Sequence, residues 1–453
     1  MRPQMQRSMR QSCSGNNDSQ TFRAMITRRR FLQQSGLAAI PLAAQTSSTD
    51  ATRSAMPPAV AALESLRGRA MPIMTDERRG RLDRARALMT TGRMDAVVLA
   101  GGTSLTYFTG AAWGNSERLM ALVLPARGEP FAVVPAFEEE RVREQLAAGP
   151  LRSVDLRLWQ EDEDPWARLA QALKDQGISA GRLGIEETLK FVFSDGIRSA
   201  APSVTLVSAT PVTAGCRMIK SPHEIALMRL AAEATLKCYE AVFKSLRPGM
   251  TDRDVEALIA LAYARLGVRG SASVQVGEFT ALPHGSAVPQ TVREGSIVMI
   301  DDGCVVEGYQ SDITRTFVLG QPTDRMKQVF DIVRQAQTAA LKTARPGVPL
   351  EAIDAAARDV IAAAGYGPGY RFFTHRLGHG LGMDMHEWPY LVRHNMFGWD
   401  RTPTARPGMA FSNEPGVYIR GEFGIRLEDD MVITETGAEL LTPQSPSLER
   451  PFG

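Results

Sequence analysis

The feature that most constrains this chain is an internal echo. The stretch LRPGMTDRDVEALIALAYARLG (246–267) returns 98 residues later as ARPGVPLEAIDAAARDVIAAAG (344–365), with the same R-P-G turn, helical pattern and terminal glycine. A second pair follows in the same order: VREGSIVMIDDG (292–303) and ARPGMAFSNEPG (405–416). In this register Asp301 falls opposite Glu414, each six residues past the aligned glycine. Two echoes in one order predict a domain built from two related halves, each with a helical part and a β part.

The region before it reads differently. Residues 76–210 alternate helical and strand patterns: an amphipathic Asp76–Thr90, an apolar Met94–Ala100, strand-like runs at Arg118–Leu124, Pro130–Pro135, Val154–Trp159, Leu183–Glu186 and Val204–Val207, and helices at Phe137–Ala147 and Pro165–Gln176. That is the pattern of an α/β domain. It carries no catalytic cluster, and its acidic run Glu161–Asp164 reads as a solvated loop and helix start. Residues 208–222 read as a linker, followed by helices over Ser221–Leu246 and Thr251–Leu266.

The first 44 residues hold seven arginines and one acid, then a mostly apolar run ending in small residues near Ala44. This is the order of an export signal. Thr27-Arg28-Arg29-Arg30-Phe31-Leu32-Gln33 resembles the twin-arginine pattern, departing from it in the last residue. Met25 is an alternative start, and Leu42 is larger than the residue usual three positions before a cleavage site. Residues 45–75 read as a linker, most flexible over Thr46–Pro58. The expected location is the periplasm, with the twin-arginine machinery as a transient partner. Without the leader, 45 basic residues face 49 acidic ones, so the formal charge of +2 becomes about −4. Nothing then points to nucleic acid: there is no basic stripe with interleaved aromatics. No run of 18 apolar residues exists to span a bilayer. Cys216, Cys238 and Cys304 are odd in number and lack a C-x-x-C spacing, so no disulfide framework is implied.

Five of the six histidines lie between 284 and 394, among carboxylates in sheet-like settings. Asp301 ends the apolar run Ser296–Ile300, and Asp312 precedes the alternating Thr314–Leu319. His379 sits among Gly378, Gly380 and Gly382, and Glu414 and Glu428 flank the hairpin-like Val417–Arg426. Half-buried carboxylates are costly unless paired or bound to metal. Four carboxylates and one imidazole form a hard, oxygen-rich donor set, suited to a pair of divalent ions such as Mn²⁺. Such a pair activates water and polarises a carbonyl. His394 reads as a surface residue, His223 as structural, Asp302 as pointing away from the site, and Cys304 as surplus to the donor set.

The motifs PHG (283–285), IDDGCVVEGYQSDITRT (300–316), FTHRLGHGLGMDMHEWP (373–389), NEPGVY (413–418) and IRLED (425–429) resemble those of the creatinase/aminopeptidase P/prolidase, or pita-bread, metallopeptidases. The spacings agree: 17 residues from His284 to Asp301, 11 on to Asp312, 7 from His379 to His386 and 14 from Glu414 to Glu428. The resemblance implies a creatinase-like α/β domain at about 76–210, followed by a pseudo-two-fold pita-bread catalytic domain at about 216–443. It implies Asp301 as terminal ligand on one ion, Asp312 and Glu428 as bridges, and His379 and Glu414 on the second ion. Glu414 is also the implied general base toward a metal-bridging hydroxide. His284 and His386 would hold the substrate carbonyl and shuttle a proton near neutral pH. His375 would contact substrate, and Arg426 would orient Glu428 or Asp312. The implied activity is cleavage of an Xaa–Pro bond, as an Xaa-Pro aminopeptidase or dipeptidase on a peptide with proline second. Two divalent ions are implied, Mn²⁺ first, with Co, Zn or Fe as alternatives, and a homodimer is the family's implied state. The alternative is a non-peptidase on the same fold: a metal-dependent C–S lyase, or a creatinase-like C–N hydrolase, which works without this ligand set.

Overall fold

A computed structural model describes residues 56–395 and 400–453. The arginine-rich leader and the first part of the expected linker lie outside these residues.

The N-terminal α/β domain is built on a six-stranded mixed sheet in the order Asp155–Trp159, Phe131–Pro135, Ala121–Pro125, Ala96–Ala100, Gly181–Ile185, Val204–Ser208. The three strands from Phe131 to Ala96 in that order are buried at every residue. Their near-continuous apolar sequences follow, because both faces are covered. Alternation still sorts the side chains. Val97 and Leu99 join one core with Leu82, Ala85 and Met89 of the Thr75–Gly92 helix. Ala96, Val98 and Ala100 join the opposite core with Leu169, Leu173 and Ile197. Helices therefore pack on both faces, and the strands end where two structured segments begin.

Two expected linkers are not linkers throughout. Thr210–Arg217 is a helix with Pro211 in its first turn, a position where the missing N–H costs nothing. Val212 and Cys216 bury in the N-terminal core, which carries that domain past the expected boundary at 210. Upstream, the described part of the expected linker over 45–75 enters a short helix at Pro58–Ala61. Val60, Leu66 and Ile73 sink into the core of the C-terminal domain, and Leu66 N donates to Leu266 O at 2.8 Å. The apolar residues in this Pro- and Ser-containing stretch secure it.

The C-terminal domain has two halves. In the first, helices Pro222–Phe243 and Asp252–Leu266 are capped by Ser221 and Thr251, each in a reciprocal capping box. They pack on the antiparallel strands Arg315–Val318, Ile297–Asp301 and Ser273–Val276. In the second, helices Asp324–Thr343 and Leu350–Ile361 pack on a five-stranded sheet that includes Gly378–Gly380, Ala410–Asn413 and Asp429–Ile433. The repeat recurs at the level of single hydrogen bonds. Gly249 N donates to Val292 O at 2.8 Å and Val292 N to Met250 O at 2.8 Å. At the equivalent positions Gly347 N donates to Ala405 O at 2.9 Å and Ala405 N to Val348 O at 2.8 Å. The isolated bridges Thr251–Thr291 and Pro349–Thr404 are likewise equivalent. The R-P-G echo is thus a structural one: each turn ties its helix pair to the strand that delivers Asp301 or Glu414.

Candidate metal and catalytic site

Strand ends bring the donors together. Asp301 closes its strand, Glu414 follows Ala410–Asn413, His379 centres Gly378–Gly380, and Glu428 stands between Phe423–Arg426 and Asp429–Ile433. Gly378 is required beside His379: a Cβ there would stand 2.0 Å from the Ser412 carbonyl oxygen. All eight residues singled out by sequence, His284, Asp301, Asp312, His375, His379, His386, Glu414 and Glu428, line one cavity of about 510 Å³. Within it, ligand atoms of Asp301, Asp312 and Glu428 lie within 4.8 Å of one another, as do those of His379, Glu414 and Glu428. Asp312, His379 and His386 form a third such group.

The donor chemistry fits cations. Five carboxylates, those of Asp301, Asp302, Asp312, Glu414 and Glu428, line the cavity with one buried guanidinium, Arg426. Glu428 Oε1 is buried with no hydrogen-bond partner, an orphaned acceptor of the kind a cation satisfies. His379 Nδ1 lies 3.1 Å from the Gly380 carbonyl, which can only accept, so Nδ1 carries the proton. That orients Nε2 toward Asp312 Oδ2 at 3.4 Å and Glu414 Oε1 at 3.5 Å. A lone pair facing carboxylates needs a proton or a metal between them. Without metal, burial pushes the carboxyls of Asp312 and Glu428 upward, and Glu414 to about 7. Burial also opposes ionisation of Asp301, but Arg426 beside it holds that carboxyl below its ordinary value.

Arg426 departs from expectation. Its Nη2 donates to Asp301 Oδ2 at 2.5 Å, not to Glu428 or Asp312. Nε donates to the Thr314 hydroxyl at 3.0 Å and Nη1 to Tyr418 Oη at 2.9 Å. Nη1 also donates to the Pro283 carbonyl at 3.1 Å, so the planar fork spans four partners and makes no direct bond to Glu428 or Asp312. Thr314 is the intermediary: its Oγ1 lies 2.5 Å from Asp301 Oδ1 and 2.6 Å from Glu428 Oε2.

His375 also differs. Nδ1 donates to the Arg376 carbonyl at 2.8 Å, and Nε2 is 2.7 Å from Tyr418 Oη. Both ring nitrogens are engaged by the protein, so the ring positions Tyr418, and through it Arg426, instead of offering substrate a donor. Burial, then Arg426, pushes its pKa down to about 3. His386 lies over His379, ring centroids 3.8 Å apart, and burial followed by His379 lowers it to about 4. Of the two histidines expected to shuttle a proton, His386 therefore departs from the expectation: it is a neutral imidazole near neutral pH in this arrangement. His284 is exposed at the rim.

Asp302 lines the same cavity, where alternation had placed it outside. The strand ends at Asp301, and Asp302 has a left-handed φ of 117°, so the period-two rule stops one residue short. Burial, then Asp301, lifts its carboxyl to about 7. His394 is exposed, and His223 is held between Glu77 and the Met71 carbonyl. Cys304 is buried in the core, 3.6 Å from the Thr235 hydroxyl. The sequence reading gave no role to Arg376, Tyr418 or Thr314. Arg376 also lines the cavity, with its guanidinium 4.2 Å from the centroid of the Tyr390 ring. All three lie inside the quoted motifs, but their side-chain partners are set only by folding.

Residues 81–219 match the model of the creatinase/prolidase N-terminal domain, and residues 226–435 that of metallopeptidase family M24. The chain is 37% identical over 362 residues to the protein named probable dipeptidase PepE of Mycobacterium tuberculosis, covering 79% of this chain and 92% of that one. It is 31% identical over 374 residues to the Xaa-Pro dipeptidase of Lactobacillus delbrueckii subsp. lactis, covering 81% and 98%. Among solved structures, dipeptidase PepE from Mycobacterium ulcerans superposes with a TM-score of 0.77 at 34% identity, covering 84% of this chain and 99% of that one.

Proposed function

The chain belongs to the M24 metallopeptidases, with the creatinase-type N-terminal domain and the pita-bread catalytic domain, and on that premise we propose that it is an Xaa-Pro dipeptidase working with two divalent ions. The observation that carries the dipeptidase reading is Arg376. A dipeptide presents a free carboxylate one residue from the scissile bond, and a site selecting for it needs a cation on the cavity wall. Arg376 stands braced over Tyr390, and the names of the relatives above support the same choice.

Asp301, Asp312 and Glu428 would hold one ion, and His379, Glu414 and Glu428 the other. When bound, such ions supply Lewis acidity and an activated water at neutral pH. The residues of the chain do the rest. Glu414, its carboxyl facing the cavity, takes a proton from the attacking water and passes it toward the leaving imide nitrogen. His386, neutral beside His379, donates through one ring nitrogen to the developing oxyanion, and His284 closes the rim. Thr314 and Arg426 hold Asp301 and Glu428 in place. Mn²⁺ suits the oxygen-rich set, and the arginine pair at 28–29 with the apolar run behind it supports export as a folded protein to the periplasm.

The test is an activity screen of Mn²⁺-loaded protein on Xaa-Pro dipeptides, their C-terminal amides and Xaa-Pro tripeptides. Cleavage should be greatest on free dipeptides, and Arg376→Met should raise KM for them roughly tenfold or more while leaving the amides unchanged. Equal cleavage of tripeptides and dipeptides would overturn the dipeptidase reading. Cleavage of none would overturn the peptidase reading.

A further inference from the structure

His386 ends a loop, residues 381–386, that connects the strand of His379 to the strand Glu387–Leu391. Among the described residues its ring makes no hydrogen bond; it rests on His379. Its placement therefore depends on the loop, and the loop is tied to its own exit residue. Met383 N and Asp384 N both donate to Glu387 Oε1, at 2.8 and 3.0 Å. The Glu387 carboxylate is in turn gripped from outside the sheet. Arg217 Nη2 donates to Oε1 at 2.6 Å, and Lys220 Nζ to Oε2 at 3.2 Å. The same Arg217 nitrogen lies 2.5 Å from Asp384 Oδ2, and Thr103 donates to Asp384 Oδ1 at 2.5 Å.

These partners come from the other domain and its exit. Thr103 begins the Thr103–Thr109 helix of the N-terminal domain. Arg217 ends the Thr210–Arg217 helix, whose Val212 and Cys216 are packed in the N-terminal core. Arg217, Lys220 and Glu387 are 8%, 5% and 6% exposed, so two cations grip one buried carboxylate, and the half-exposed Asp384 adds a second from the solvent side. A carboxylate there cannot rotate without breaking charge-assisted bonds, and two loop amides follow it.

We propose that Arg217 is a positioning residue for turnover: with Thr103 and Lys220 it lets the N-terminal domain hold the His386 loop in its working conformation through Glu387 and Asp384. The proposal rests on the reading of His386 as a group that meets substrate. It gives the N-terminal domain, which contributes no donor to the cavity, a part in the chemistry.

The experiment compares Arg217→Met, Arg217→Lys, Thr103→Val, His386→Ala and the Arg217→Met/His386→Ala double variant. Each is loaded with Mn²⁺ and assayed on an Xaa-Pro dipeptide, with metal stoichiometry and the thermal unfolding midpoint measured alongside. Arg217→Met should lower kcat roughly 10–100-fold, with KM within about threefold of wild type and metal content unchanged. Arg217→Lys should recover part of the loss. Thr103→Val should lower kcat a few-fold at an unchanged midpoint. In the His386→Ala background Arg217→Met should cost little more, because both act through one ring. Wild-type kcat for Arg217→Met and Thr103→Val, where His386→Ala loses turnover, overturns the proposal. So does a full additional loss in the double variant. If Arg217→Met does not fold, the kcat of Thr103→Val decides in the same way. A His386→Ala variant with wild-type kcat instead overturns the reading of the site on which the proposal rests.

Discussion

Remove the metal and raise the pH, and the site should loosen the fold. Glu414 is largely buried, its side chain 14% exposed, among Asp301, Asp312 and Glu428, and this burial lifts its carboxyl from an ordinary 4.5 to about 7. Its folded value lies above its unfolded value, so between these limits the folded state binds more protons than the unfolded state. Stability then falls as pH rises through that window. The span corresponds to about 3 kcal/mol, of which about 2.5 kcal/mol disappears between pH 5 and 8. Other groups titrate in the same range. Neutral His375 and His386 act with the opposite sign below about pH 6.5, because their folded values are depressed. A difference isolates the carboxyl. Wild type and Glu414→Gln are unfolded with urea in chelator at pH 5 and pH 8, and their unfolding free energies are subtracted at each pH. Wild type should lose about 2.5 kcal/mol relative to Gln between the two. Saturating Mn²⁺ should abolish that loss in wild type, because bound ions favour the ionised carboxylates. A metal-free difference that stays constant with pH, or grows in favour of wild type as pH rises, refutes the reasoning.

Two further outcomes are expected. Asp429 and Arg315 form an ion pair exposed by 1% or less, with Thr442 and Gln337 also bonding the carboxylate; Asp429→Asn leaves a buried guanidinium without its counter-charge and should cost about 3–5 kcal/mol in metal-free urea denaturation. Residues 1–55 fused to a folded reporter should direct it to the periplasm, and Arg28→Lys with Arg29→Lys should leave it in the cytoplasm; cell fractionation decides, and export unaffected by the pair of changes would exclude the twin-arginine route.

Much of this protein was legible in one dimension because its signals are local or repeated. The ligand types sit at strand ends with fixed spacings, and the R-P-G phrase marks two copies of one helix–turn–strand arrangement. A donor set of four carboxylates and an imidazole already indicates metal, since little else makes such burial tolerable. The apolar strands of the N-terminal domain were legible for a similar reason: burial on both faces writes a continuous run. The failures share a cause. Asp302 escaped because strand alternation holds only inside the strand, and residue 302 turns left-handed just beyond it. The helix at 210–217 reads as connection because eight residues of small and polar type carry little periodicity until Val212 and Cys216 find a core.

Which side chain answers which is settled by folding. Arg426 and Asp301 are 125 residues apart, Thr314 and Glu428 114, and Arg217 and Glu387 170. No spacing rule links such pairs, since an arginine two residues from Glu428 looks like its partner until the sheet aims it elsewhere. The inventory of charged and ligating groups is written in the chain, because chemistry belongs to the residue. Folding decided their pairing, their pKa values and the neutral state of His375 and His386, because those depend on burial and on neighbours that chain order does not place together.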